Sequence, residues 1–192
     1  MRTVIVYESM YGATRALAER MGEALTQRGG VDVVPVSAAS RECLDGADLV
    51  LVGGPTHVHG MTTPRSRHAA IEAAAKPDAT VEVDPDAEGQ GLRDWLSGLD
   101  GGATSAAAFD TRMHGPAVLT GRASRGIDKR LRKHGFATVV DPESFLVEKD
   151  GSLTEGEADR AAAWAVSVAK TAVMTMWSER PDGAATTAAS SE

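Results

Sequence analysis

The sequence predicts a doubly wound α/β fold, with helices on both faces of a five-stranded parallel sheet in three layers (α/β/α). Residues 3–7 form a continuous run rich in β-branched side chains, and residues 48–52 are apolar after Asp48, patterns typical of strands buried on both faces. Amphipathic segments with a helical repeat lie between the strand-like runs, so strand and helix alternate five times. A length of 192 residues suits one such domain.

The other elements follow from the same patterns. Further strands are predicted at 31–36, at 103–109 and at 136–140, with the last resuming at 145–147. The first helix carries an apolar stripe from Leu17 to Leu25, and later helices are predicted at 63–76, 92–99 and 122–134 and from Thr154 onward. Thr63 before Pro64 is an N-cap signal, and Glu157 three residues after Thr154 indicates a capping box.

Composition shifts divide the chain into a domain at 1–178 and a tail at 179–192, which is rich in Ala, Ser and Thr and is predicted to be disordered. Within the domain, residues 77–90 are rich in Asp, Glu, Pro and Gly and are interpreted as an acidic surface insertion. The helix at 122–134 has a basic face, which is either a solvated surface or a docking face for a partner.

The charge and cysteine content exclude several classes of protein. A formal net charge of -7 argues against nucleic-acid binding, because phosphates favour basic stripes. The single cysteine, Cys43, cannot form a disulfide framework or a Cys-rich metal site within one chain. No run approaches the length of a membrane span, and no signal peptide is recognised, so a cytoplasmic location is expected.

The loop after the first strand, Ser9-Met10-Tyr11-Gly12-Ala13-Thr14, suits a phosphate monoester. Ser9 and Thr14 offer hydroxyl donors, and Gly12 allows the backbone to turn and present successive amides. The helix that follows directs its positive end toward the same place. The loop lacks the Gly-Lys-Ser/Thr ending of a Walker A motif and the glycine spacing of a dinucleotide fingerprint.

Two further loops follow the third and fourth strands and are expected at the same edge of the sheet. The second contains Pro55, Thr56, His57, Val58, His59, Gly60 and Met61, and the third contains Phe109, Asp110, Thr111, Arg112 and Met113. The second loop supplies flat or polarizable side chains to border a ring, while Asp110 and Thr111 suit a heterocycle edge. Arg112 either faces an anionic ligand or pairs with a nearby carboxylate. The His-x-His pair has no evident third ligand, so no metal site is expected.

These three loops make the sequence resemble flavodoxins and flavodoxin-domain proteins over about residues 3–176. The family's phosphate loop reads Ser/Thr-x-Thr-Gly-x-Thr; Ser9, Gly12 and Thr14 match it, and Tyr11 replaces the middle Thr. The resemblance implies strand order 2-1-3-4-5 and one FMN held at the switch point, for which flavodoxin is itself a standard example. It implies that the residues of the three loops bind FMN, with no catalytic side chain assigned.

One departure from the family leaves the function open. Carrier flavodoxins place the flavin between a Trp and a Tyr, but neither flavin-facing loop here contains either residue. Weaker aromatic stacking should reduce FMN affinity and the stability of the one-electron-reduced flavin. The resemblance therefore implies an electron carrier that serves a reductase or an acceptor protein. The alternative is an FMN oxidoreductase, either one that uses NAD(P)H or a quinone or one that resembles the protoporphyrinogen oxidases of this fold. A domain that has lost FMN is the third possibility, and the oligomeric state is unknown.

Overall fold

A computed structural model describes residues 1–99, 102 and 104–178. The strands are β1 (Thr3–Tyr7), β2 (Val31–Pro35), β3 (Leu49–His57), β4 (Gly60–Met61), β5 (Ser105–Met113), β6 (Ala137–Thr138) and β7 (Glu143–Val147). The α-helices are α1 (Ala13–Leu25), α2 (Pro64–Ala74), α3 (Leu92–Ser97), α4 (Ala117–Thr120), α5 (Ala123–Lys133) and α6 (Glu157–Ser178). Short 3₁₀ turns occupy Thr26–Arg28 and Arg41–Leu44. The predicted tail at 179–192 lies outside the described residues.

The main sheet is parallel, with the strand order β2-β1-β3-β5-β6. This order confirms the predicted doubly wound fold, because β5 and β6 are the fourth and fifth strands of the main path. The described residues form seven strands rather than five, for two reasons: β4 turns back on β3, and the edge strand is divided into β6 and β7.

The division of the edge strand has a geometric cause. Thr138 pairs with Ala106, and Glu143 pairs with Phe109. The edge strand therefore uses five residues where β5 uses three, so the intervening segment cannot remain in the ladder. Pro142, which has no backbone N–H to donate, falls within this segment. As a result β7 is aligned with the carboxyl half of β5, and its end points to the edge where β1 and β3 also end.

Strand β3 is longer than the predicted 48–52, because the Gly-Gly-Pro stretch continues the strand rather than ending it. Gly53 pairs with Phe109 on β5. A Cβ atom on Gly53 would lie 2.1 Å from the Phe109 ring, so only glycine lets the ring cross the strand there. The predicted second loop is consequently a β-hairpin, in which His57 pairs with Gly60.

The core lies on both faces of the sheet, as the continuous apolar strands predict. Val6 and Val52 face one side, where Leu96 of α3 and Ile127 of α5 pack. Ile5 and Leu51 face the other side with α1 and α6. Each of these four strand residues is completely buried. The apolar surface removed from water on both faces is the principal source of stability.

Of the two predicted helix N-caps, the one at Thr63 is confirmed and the one at Thr154 is wrong. Thr63 and Ser66 form a reciprocal capping box at the start of α2. The predicted capping box between Thr154 and Glu157 does not form, because the Glu157 carboxylate accepts the Leu146 backbone N–H at 2.7 Å and pairs with Arg160. Helix α6 begins at Glu157 instead. No helix in the described part of the chain is long and apolar enough to cross a membrane.

Candidate functional site

The carboxyl ends of β1, β3, β5 and β7 meet around one cavity of about 160 Å³, called here the site cavity. Eleven residues predicted from the three loops line it: Ser9, Met10, Tyr11, Ala13, Thr14, Pro55, Thr56, His57, Thr111, Arg112 and Met113. The convergence follows from topology, since β1 and β3 are adjacent and β3 also pairs with β5. This edge of a doubly wound sheet is where ligands bind.

The first loop is closed by a local hydrogen bond. The Gly12 backbone N–H donates to the Ser9 hydroxyl oxygen at 3.1 Å. Gly12 has φ +91°, a conformation that residues with a Cβ rarely adopt. It precedes α1 directly, and its carbonyl accepts the N–H of Ala16 at 2.9 Å. Gly12 shapes the loop without lining the site cavity itself.

Thr14 belongs to the first turn of α1, and its hydroxyl oxygen lies 2.9 Å from that of Thr111 on β5. Both side chains are buried. This contact joins the first and third predicted loops across the sheet. Either hydroxyl can be the donor of the pair, and the other then has a hydrogen atom left to donate elsewhere.

Arg112 holds the segment that follows β5. One of its terminal nitrogens donates to the Gly115 carbonyl at 2.8 Å and to the Thr120 hydroxyl at 3.0 Å. Its Nε atom is buried and has no hydrogen-bond partner among the described residues. A buried guanidinium N–H without an acceptor is costly, so this atom is a candidate donor to a ligand.

Two predicted residues of the third loop do not line the site cavity, which corrects the expectation for them. Phe109 is completely buried on the α6 side of the sheet, where its ring packs edge-on against Phe145 and Trp164. Asp110 is completely buried on the opposite face, because alternate residues of a strand point to opposite sides.

Asp110 fixes the start of α5. Its carboxylate accepts the Ser124 backbone N–H at 2.7 Å. Burial raises the pKa of Asp110, while hydrogen bonds from Ser124 and Ser144 oppose the shift. Asp110 therefore anchors a helix N-terminus, and it does not line the site cavity.

The hairpin tip also departs from the prediction, since Val58, His59, Gly60 and Met61 lie outside the site cavity. Met61 is buried in the core beneath α5. Val58 and His59 have φ values of 47° and 70°, and 86% of Val58 is exposed. A β-branched residue with positive φ is strained, and such strain concentrates at functional sites.

His57 lies between the site cavity and a second groove outside it. Burial lowers the pKa of His57, and the nearby Glu8 carboxylate opposes this shift only in part. The imidazole is consequently neutral at pH 7, with one nitrogen available as an acceptor.

Sequence reasoning missed five residues that line the site cavity: Val81, Val147, Glu148, Lys149 and Gly151. Val147 is the last residue of β7, the displaced half of the edge strand, and three others follow it. The Lys149-Asp150-Gly151 sequence after an apolar strand is a turn signal, and it is the sequence feature that indicates them. A Cβ on Gly151 would lie 3.3 Å from atoms of both Tyr11 and Val81, so the three residues pack closely.

Of the two basic side chains near the first loop, Arg15 has a carboxylate partner and Lys149 has none among the described residues. Arg15 lies 3.4 Å from the buried Asp84 carboxylate and is neutralised by it. Lys149 has no carboxylate within 4.0 Å in the described part of the chain, whereas the adjacent Glu148 contacts His114 at 3.2 Å. Lys149 is therefore, like Arg112, a cation of the site cavity without a carboxylate partner among the described residues.

The 77–90 segment is packed against the first loop, although the sequence indicates only an acidic surface insertion. The Asp84 backbone N–H donates to the Met10 carbonyl at 2.8 Å, and both Asp84 and Ala87 are buried. The Arg67 guanidinium donates to the carbonyls of Ala87 and Gly89, each at 2.8 Å. Such contacts make the segment part of the wall around the site.

Comparison with known proteins gives consistent results. A family model described as Flavodoxin matches residues 5–164. Similar solved structures include oxidised flavodoxin 1 from Bacillus cereus (14% identity, TM-score 0.62, covering 88% of this chain and 98% of that one). A flavodoxin from the domain Archaea has 20% identity and TM-score 0.60, with coverages of 90% and 99%. The flavodiiron protein from Giardia intestinalis has 19% identity and TM-score 0.58, with coverages of 94% and 38%. A comparison with curated proteins gave no match.

Proposed function

The chain belongs to the flavodoxin family, and from this premise we propose that it binds FMN in the site cavity and carries electrons between redox partners. One observation supports the proposal above all: residues 9–11, 13–14, 55–57 and 111–113, from three separate loops, line the same cavity. The members of the family bind FMN and transfer electrons to redox partners. The proposal extends both properties to this protein.

The residues present fit a phosphate-bearing heterocycle. The α1 N-terminus and the hydroxyls of Ser9 and Thr14 suit the phosphate, and Lys149 supplies a positive charge beside them. The unpartnered Nε of Arg112 is a donor that lacks an acceptor until a ligand is bound. When bound, FMN supplies the one- and two-electron chemistry, which none of these side chains can perform.

Under this proposal the protein's own groups bind, orient and shield the cofactor. Tyr11, Val81 and Gly151 close the cavity beside the first loop and limit the access of water there. Met113 is 45% exposed, so its side chain offers an apolar surface at the mouth. The neutral His57 presents an acceptor without adding charge.

The test is a titration of the purified protein with FMN, followed by flavin fluorescence and calorimetry, with riboflavin as the phosphate-free control. We expect saturable binding of FMN at one site and weaker binding of riboflavin. An absence of FMN uptake would refute the proposal and identify a family member that has lost its cofactor.

A second candidate is an FMN-dependent oxidoreductase acting on NAD(P)H and a quinone, or one resembling the protoporphyrinogen oxidases of this fold. It is favoured by the absence of Trp and Tyr from the two flavin-facing loops, and by His57, which lies where the cavity meets a second groove. Stopped-flow mixing of the FMN-loaded protein with NADPH distinguishes the candidates. Rapid bleaching with quinone turnover supports the enzyme, and no bleaching supports the carrier.

A further inference from the structure

A second groove of about 420 Å³ lies beside the site cavity and carries positive charge on a protein whose formal net charge is -7. We call it the arginine groove. Its lining residues are His57, Val58, Gly60, Met61, Thr63, Arg65, Ser66, Ala69 and Arg93. It contains no Asp or Glu, so its two arginines are not neutralised from within.

Arg93 is held rigidly in this groove. Its Nε donates to the Thr62 carbonyl at 3.1 Å, and a terminal nitrogen donates to the Met61 carbonyl at 2.9 Å. Backbone carbonyls orient the guanidinium but do not cancel its charge. In the described part of the chain, neither Arg93 nor Arg65 has a carboxylate within 4.0 Å, so both remain available for an anion.

A third arginine adds to the positive potential. Arg130 of α5 donates to the Gly126 carbonyl at 3.2 Å and lies close enough to Arg93 for the two charges to repel. Burial, and secondarily this repulsion, lower the pKa of Arg130. Repulsion between like charges is unfavourable in the free protein, and an acidic group placed between them would relieve it.

The arginine groove and the site cavity share His57, so a molecule in the groove lies next to any cofactor in the cavity. At the rim, Val58 is 86% exposed and is held out by a strained backbone with φ 47°. An exposed apolar side chain beside arginines matches the composition of protein interfaces, in which arginine is enriched and apolar residues form the centre.

We propose that the arginine groove is the docking site for an acidic face of a redox partner protein. This inference rests on the proposed electron-transfer function, and it identifies the charge of the partner. The net charge of -7 taken alone would favour a basic partner. Screening in physiological salt limits electrostatic interactions to about 8 Å, so the local arginines, rather than the distant acidic residues, decide which face can dock.

The experiment uses fluorescently labelled deca-glutamate as the acidic probe and deca-lysine as the opposite probe, with binding followed by fluorescence anisotropy. We expect saturable binding of deca-glutamate that weakens with added salt, and we expect Arg65→Glu to weaken it about tenfold, equivalent to about 1.4 kcal/mol. Arg28→Glu is the matched control, because Arg28 is exposed in the turn after α1 and outside this groove. We expect less than about a twofold effect from it.

Arg93→Gln tests the second arginine, with circular dichroism to establish that the variant is folded. Equal losses in the Arg65→Glu and Arg28→Glu variants, or tighter binding of deca-lysine than of deca-glutamate, would overturn the inference. Displacement of deca-glutamate by low concentrations of pyrophosphate would also overturn it, because that result indicates a site for a small anion.

The titration is carried out both without and with FMN, so that the two proposals can fail separately. Binding of deca-glutamate at Arg65 by a protein that takes up no FMN refutes the electron-transfer proposal and leaves a docking site for an acidic partner. Uptake of FMN without binding at Arg65 refutes the docking inference and leaves the cofactor site intact.

Discussion

The hydroxyl oxygens of Thr14 and Thr111 lie 2.9 Å apart, and their contact joins the first turn of α1 to the end of β5. A ligand phosphate at the α1 N-terminus would accept the hydroxyl hydrogen that this pair leaves free. Under the proposed function, the contact therefore couples cofactor binding to the packing of a helix on the sheet.

Replacing Thr14 by Ala should weaken FMN binding by roughly 1–3 kcal/mol, because a phosphate oxygen loses a donor. The dissociation constant from flavin fluorescence measures the effect. Thr14→Ser retains the hydroxyl and should stay close to the unmodified protein. An unchanged dissociation constant in Thr14→Ala would assign the hydroxyl to Thr111 alone.

Lys149→Gln should weaken FMN binding and leave riboflavin binding unchanged, because only the phosphate interacts with the ammonium group. For an exposed cation the expected loss is about 0.2–1 kcal/mol, and it should disappear at high salt. Lys170→Gln on α6 is the control, since Lys170 lies outside the site cavity. A parallel loss for riboflavin would show that Lys149 acts through packing.

Arg67→Met should lower the free energy of unfolding by about 3–5 kcal/mol, the usual cost of removing one partner of a buried ion pair. Arg67 lies 3.4 Å from the buried Glu8 carboxylate and also holds the 77–90 segment. Urea unfolding measures the loss. Arg65→Met is the control: it lies in the same helix but is exposed, so its unfolding free energy should change little.

Gly53→Ala should destabilise the protein by about 1–3 kcal/mol or more, because the added methyl group would overlap the Phe109 ring at 2.1 Å. Gly60→Ala at the hairpin is the control, since a Cβ there meets nothing within 4 Å. Thermal unfolding of both variants separates the steric effect from the general cost of changing a glycine in this hairpin.

Because of Tyr7, the free energy of unfolding should decrease at alkaline pH. Burial, aided by the charges of Asp86 and Asp84, raises the pKa of Tyr7 to about 12 from a usual value of 10.0. The unfolded chain loses this proton first, so the stabilising contribution is complete below pH 10 and is lost as the pH rises toward 12. Tyrosinate absorbance should titrate above the ordinary range, and Tyr7→Phe should flatten the pH dependence of the unfolding free energy. A normal titration midpoint would contradict the buried environment of Tyr7.

The sequence predicted most of the fold because local signals and burial agree. Thr3–Tyr7 is apolar and β-branched, and it is a strand with every residue buried. The Thr63-Pro64 start signal marks the start of α2. The features that were predicted wrongly depend on residues distant in the sequence. Gly53 continues a strand in which the Phe109 ring crosses it. The Glu157 carboxylate binds the Leu146 N–H and Arg160 instead of capping the helix.

In the site, too, features with local sequence signals were predicted and features that depend on distant contacts were not. The first loop could be predicted because a short strand–turn–helix contains all of its chemistry. Lys149 could not, because it reaches the site cavity only through the two extra residues that displace β7 along β5. The position of Phe109 and Asp110 after the fourth strand placed them in the predicted site, whereas strand alternation buries their side chains on opposite faces of the sheet.

The hydrogen bond from the Asp84 amide to the Met10 carbonyl makes the 77–90 segment a reporter of what happens in the first loop. A change in Met10 on ligand uptake that broke this bond would leave the segment held only by the remaining contacts, such as those from Arg67. Cleavage by a protease of the exposed Asp78–Thr80 stretch could thus serve as a gauge of occupancy. Such a gauge would require neither a coloured cofactor nor a known partner.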